Sequence, residues 1–344
     1  MTRPQTFNGV QALRLVAALL VVASHAAAIA LERLQGLPPG HFWRAGFCGV
    51  DIFFVISGFV MTLTSTSLEN RADGWSEFLK RRVIRVVPMY WIALSLQVLM
   101  VAGLHGQGDP TNIVASYFFL PSRDANGFLT PILSVGWTLQ YEMFFYALFA
   151  AALFLKRPPV LLCGVVFTVL AALGLAFYTP HAGMSPLLAY IRPILLEFIY
   201  GMLIARFMSQ RRLHPALAAA LLLGGVALIF SMPLIDAWRP FAWGLPAAMI
   251  VLGVVQLEFS VGKWVPRWVR EQGDASYALY LFHSFMLPAL AWVFLRAHVH
   301  NVPLMLAAAL VAGPLMALVI HRVIEKPLTQ RLKQLRLRPL LRPA

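Results

Sequence analysis

Long apolar runs recur along this chain from its first residues almost to its last, and no hydrophilic block between them is long enough to fold separately. A helix needs about 20 apolar residues to cross roughly 30 Å of hydrocarbon. Ten segments approach that length: 10–30, 48–66, 83–103, 134–155, 160–178, 188–208, 216–234, 240–258, 275–296 and 304–323. Turn signals separate them, as in Leu37-Pro38-Pro39-Gly40, Gly106-Gln107-Gly108-Asp109-Pro110 and Arg157-Pro158-Pro159. The pattern predicts an all-α integral membrane protein, a single domain over residues 1–344. It would be one bundle of about ten transmembrane helices followed by a basic tail at 324–344. The first run, Val10 to Ala30, is too long for a signal-peptide core and lacks a cleavage site, so it reads as a retained span.

Composition agrees with that pattern. The 344 residues are 60% hydrophobic and only 12% charged, with a mean hydropathy of +0.73, against about 25% charge in a soluble globular chain. A water-soluble fold has no place to hide so much apolar surface.

The formal charge of +14 points first to nucleic acid, but the basic residues sit in short loops between apolar runs and form no continuous face. The inner leaflet and an anionic ligand are the expected partners. With the N-terminus inside, twenty-one Lys and Arg fall on the cytoplasmic side and six outside, with Arg14 inside the first span. That bias places both termini in the cytoplasm. The outer loop 104–133, rich in Gly, Pro, Asn and Asp, is expected to cover a site opening outward. Cys48 and Cys163 fall near opposite faces, so no disulfide is expected, and neither stands in a metal-ligand spacing.

Ionisable residues inside spans cost a few kcal/mol each and are candidate functional groups, with a satisfied structural pair as the alternative. Arg14 and His25 are eleven residues apart, close to three helical turns and about 16 Å, and share one face of the first span. A neutral imidazole suits removal of a hydroxyl proton near pH 7, although a hydrogen-bonded packing histidine is as good a reading. In the second span Asp51 stands two turns from Gly58; its carboxylate either orients a histidine or pairs with Arg44.

Arg82 and Arg85 share a helix face within the densest basic group and enter the third span, where anchoring does not require them. Two guanidinium groups there make a grip for phosphates. Glu142 lies about 12 Å into the membrane, with Thr138 one turn away as the expected partner. Ser276, Tyr280 and His283 line one face of the ninth span. Two histidines and two carboxylates in an apolar bundle are the constellation that general acid/base chemistry needs.

Six fragments in order resemble the acyltransferase-3 family of membrane O-acyltransferases, in particular its exopolysaccharide acetyltransferase branch. They are Gln11-Ala12-Leu13-Arg14 with His25, Gly49 to Gly58, Arg81 to Arg85 before Pro88 and Tyr90, Gly136-Trp137-Thr138-Leu139 with Glu142, Asp274 to His283, and Glu325-Lys326-Pro327. The resemblance implies transfer of an acyl group, usually acetyl from acetyl-CoA, to a hydroxyl of a saccharide or glycolipid at the bacterial inner membrane, beside other polysaccharide-biosynthesis machinery. By position, His25 would be the catalytic histidine, acting as general base or acyl carrier, with Glu142, Asp51 and His283 supporting it. Arg14, Arg82 and Arg85, with Tyr280 and Ser276, would bind the donor, and a tetrahedral oxyanion would take its hydroxyl donor from Tyr280, Ser276 or Thr138. No metal is expected. The rival reading is a transporter or flippase for a lipid-linked saccharide, whose pathway the same polar residues would line.

Overall fold

The computed structural model describes residues 7–37, 43–105, 109–179, 181–232 and 238–337. The turn signals at Pro38-Pro39-Gly40 and Gly106-Gln107-Gly108, and the last seven residues of the basic tail, lie outside the described residues. In hydrocarbon there is no water to satisfy a peptide group, so each N–H and C=O has to pair within its own segment, and the helix does this locally. Each of the ten apolar segments contains a helix. In order these are α1 (Asn8–Gln35), α2 (Cys48–Ser65), α3 (Gly74–His105), then, after the short α4 (Pro110–Tyr117), α5 (Trp137–Phe154), α6 (Pro159–Phe177), α7 (Leu196–Gln210), α8 (Pro215–Ser231) and α9 (Leu245–Val261). The short α10 (Arg267–Asp274) leads into α11 (Ser276–Arg296), followed by α12 (Val302–Ile320) and α13 (Lys326–Leu337). No strand occurs among the described residues; a lone bridge joins Arg123 to Leu129.

Among the described residues seven helical stretches are long and apolar enough to cross a membrane: α1, α3, α6, α11 and the stretches containing α2, α9 and α12. The other three segments fall short for visible reasons. α8 has 17 residues and α7 has 15, and α5 carries Gln140, Tyr141 and Glu142 in its second turn. The segment at 188–208 begins as 3₁₀ turns, Pro186–Ile191 and Pro193–Leu195, and becomes α-helical only at Leu196. Pro186 and Pro193 each lack the N–H that a continuous helix would use.

Helix packing relies on close backbone approach. A side chain on Gly58 would collide with the Phe198 carbonyl, and one on Gly201 with the Val55 carbonyl, so α2 and α7 meet through paired glycines. The free N–H groups at the start of α1 are held by Glu258 of α9, whose carboxylate accepts from Asn8 N (2.8 Å) and Gly9 N (2.6 Å). That contact ties the first and ninth helices at one end of the bundle. The loop after α3 is anchored rather than loose: Asn112 bonds Ser122 Oγ (2.6 Å) and the Thr130 carbonyl (3.2 Å), and Tyr90 and Trp91 of α3 donate to the Ser116 and Tyr117 carbonyls. Leu99, Phe154, Phe177 and Leu223 are exposed on the outside of the bundle, as lipid-facing positions should be.

Candidate active site

A cavity of about 510 Å³ opens among α1, α2, α3, α5 and α11. Its floor plan follows from helix direction. Gly273, just before α11, packs against the Gln11 backbone of α1, and Tyr277 donates to the Val86 carbonyl of α3 at 2.9 Å. Arg14, Arg85 and Ser276 therefore stand at one level of the bundle. Arg14, Arg82 and Arg85 all line the cavity there. None of the three forms an ion pair among the described residues. Arg14 has one weak contact, Nη1 to Gln11 Oε1 at 3.3 Å, and the buried Nε of Arg82 has no acceptor. A dry guanidinium without an acceptor is costly, and an anionic ligand supplies the missing partner.

Glu142 lies deeper on the cavity wall. Ser57 Oγ donates to it at 2.9 Å and Tyr146 OH at 2.5 Å. The expected partner, Thr138, is engaged elsewhere: its hydroxyl bonds Tyr280 OH at 2.8 Å. A one-turn offset on α5 puts Thr138 on the same side as Glu142, but the opposing Tyr280 supplies a better placed oxygen. Tyr280 OH also donates to the Val135 carbonyl at 3.0 Å.

Beyond Tyr280 lie the two histidines. His25 of α1 and His283 of α11 have ring centroids 5.0 Å apart, and His283 is 6.0 Å from the Tyr280 ring. His283 is buried, while His25 is only partly so. Each Nδ1 sits near the carbonyl four residues back, Val21 at 2.9 Å and Leu279 at 3.2 Å. A carbonyl only accepts, so Nδ1 carries the proton and Nε2 is the basic nitrogen on both rings. The tautomers are thus set by main-chain carbonyls, not by Asp51 or Glu142. His283 Nε2 has no partner among the described residues.

Asp51 is placed apart from this constellation. Its carboxylate holds Arg239 in a two-bond fork, Nε to Oδ1 at 2.9 Å and Nη2 to Oδ2 at 2.8 Å, and Arg239 Nη2 also donates to the Phe47 carbonyl. Both residues are buried. The partner is Arg239 and not Arg44, because the π-helical turn Pro240–Gly244 that follows Arg239 brings the start of α9 against α2. Asp51 does not line the cavity, and no contact links it to a histidine.

The cavity thus gathers Arg14, Arg82, Arg85, Glu142, Ser276 and Tyr280, while His25 and His283 lie behind Tyr280 and outside its lining. Sequence reasoning missed Tyr146, although it stands four residues after Glu142 on the same helix face. It also missed Ser57 as the other donor to Glu142, and the buried Glu197, which lies beside the Asp51–Arg239 pair. Only Tyr146 carried a signal in local spacing, since Ser57 and Glu197 reach their neighbours from other helices. Among the described residues no cluster of His, Cys, Asp or Glu is arranged to hold a metal ion.

Comparison with known proteins bears on this arrangement. A family model described as an acyltransferase domain matches residues 7–322. The chain is 36% identical over 300 residues to the exopolysaccharide production protein ExoZ of Rhizobium meliloti, covering 85% of this chain and 92% of that protein. It is 25% identical over 284 residues to the peptidoglycan O-acetyltransferase OatA of Listeria monocytogenes, covering 70% of this chain and 44% of that one. No solved structure matches.

Proposed function

The chain belongs to the acyltransferase-3 family and is a multi-pass membrane O-acyltransferase, and from that premise we propose that it moves an acetyl group from acetyl-CoA to a saccharide hydroxyl. The observation that carries this reading is the cavity lined by Arg14, Arg82 and Arg85, none of them in an ion pair among the described residues, with a histidine pair packed behind Tyr280 of its wall. Phosphates of the donor would be held by Arg14, Arg82 and Arg85, and its thioester would reach inward past Glu142. The positive-inside bias puts the arginine end toward the cytoplasm, where acyl-CoA is made, with ten spans and both termini inside. The inner membrane of a bacterium is the fitting location.

His25 Nε2 removes the proton of the acceptor hydroxyl as its oxygen attacks the thioester carbonyl. The tetrahedral oxyanion that forms is stabilised by the hydroxyl of Ser276 on the cavity wall, whose oxygen has no other partner among the described residues. Collapse breaks the C–S bond, and the proton held by His25 goes to the departing CoA thiolate. The exopolysaccharide and peptidoglycan settings of the two relatives support an acceptor among surface glycans.

The deciding experiment supplies acetyl-CoA labelled in the acetyl group to membranes carrying the protein. Label appearing in glycan supports transfer. Movement of unlabelled glycan across the membrane, with no requirement for acetyl-CoA, would establish a transporter in its place.

A further inference from the structure

Neither histidine lines the donor cavity; the Tyr280 ring stands between them and it. That ring is firmly placed. Its hydroxyl bonds both Thr138 (2.8 Å) and the Val135 carbonyl (3.0 Å), and Phe53 meets it edge-on at 6.1 Å. Tyr280 is one turn beyond Ser276 on α11, about 6 Å deeper than the arginine level, and His283 follows after three more residues. The order along α11 is therefore the arginine level at Ser276, then Tyr280, then His283.

The geometry points to Tyr280 as the residue that sets the length of the acyl group, admitting about two or three carbons and excluding longer straight chains. This inference rests on the donor reading above. A donor anchored by its phosphates at Arg14, Arg82 and Arg85 has a fixed reach, so its acyl carbons end against the Tyr280 ring. A ring held by two hydrogen bonds and a tight edge contact does not give way as a loose side chain would. Each added methylene then has to be accommodated by displacing that ring, and pockets of this kind discriminate by about tenfold or more per methylene. Phe53 and Thr138 act through Tyr280, as positioning residues.

The test compares kcat/KM for acetyl-, butyryl- and hexanoyl-CoA in purified protein carrying Tyr280→Ala, Tyr280→Leu or Tyr280→Phe. The native protein is expected to favour acetyl over butyryl by about tenfold or more. Tyr280→Ala and Tyr280→Leu are expected to lower the acetyl-to-hexanoyl ratio by at least about tenfold, while Tyr280→Phe, which keeps the ring but loses its two hydrogen bonds, falls between the native protein and the shortened variants. If a variant transfers nothing, titration with dethia analogues of acetyl- and hexanoyl-CoA reads the same ratio as binding. An unchanged ratio in both shortened variants, by turnover or by binding, overturns the inference, as does a native enzyme indifferent to chain length. A native protein that neither binds nor consumes any acyl-CoA overturns the donor reading itself, which separates the two failures.

Discussion

The imidazole rings of His25 and His283 lie 5.0 Å apart at their centroids, each with Nδ1 tied to the carbonyl one turn earlier on its own helix. The two basic nitrogens are thereby defined by helix geometry alone, while their juxtaposition comes from the packing of α1 on α11. A base whose tautomer is fixed in advance needs no reorganisation when the acceptor arrives.

Replacing His25 by Ala is expected to lower acetyl transfer by about a hundredfold or more, the range for loss of a general base. His283→Gln, which keeps bulk and polarity, is expected to cost less. Transfer assays on purified protein, with thermal unfolding as a control for folding, check both. Full activity in a folded His25→Ala protein would remove His25 from the mechanism.

Arg82→Gln combined with Arg85→Gln is expected to raise the KM for acetyl-CoA by at least about tenfold, since each charge-assisted bond to phosphate contributes about 1.5–3 kcal/mol. The acceptor KM should move little. Steady-state kinetics with each substrate varied in turn separates the two, and an effect confined to the acceptor would count against a phosphate role.

Tyr146→Phe removes a donor to Glu142 at 2.5 Å and Ser57→Ala removes another at 2.9 Å. Each is expected to reduce turnover or stability by about 1 kcal/mol, the net contribution of a hydrogen bond to a partly buried acceptor. The double substitution should exceed the sum of the singles, because Glu142 then has neither donor. Melting temperatures and kcat of the four proteins complete that cycle.

Asp51→Ala removes the forked carboxylate partner of the buried Arg239, and loss of about 3 kcal/mol in stability is expected. Arg239→Ala should cost a similar amount, and the double substitution clearly less than the sum. Donor KM in any folded variant should stay near native, because neither residue lines the arginine-bearing cavity. A selective change in donor KM would mean that the pair communicates with the site.

Much of this protein is legible in one dimension. Apolar runs of spanning length dictate helices because hydrocarbon leaves the backbone no other partner, and each of the ten runs contains one. Spacing of three or four residues placed Arg82 beside Arg85 and Ser276 beside Tyr280, and both pairs line the cavity. Relations between helices were not legible in the same way. Ser57 with Glu142, Tyr280 with Thr138, Asp51 with Arg239 and His25 with His283 are joined across 85, 142, 188 and 258 residues of chain. Which side chains meet at such distances depends on crossing angle and depth, set by where glycines such as Gly58 and Gly201 let backbones touch. Periodicity fixes the face a residue presents; only the packed bundle decides what that face meets.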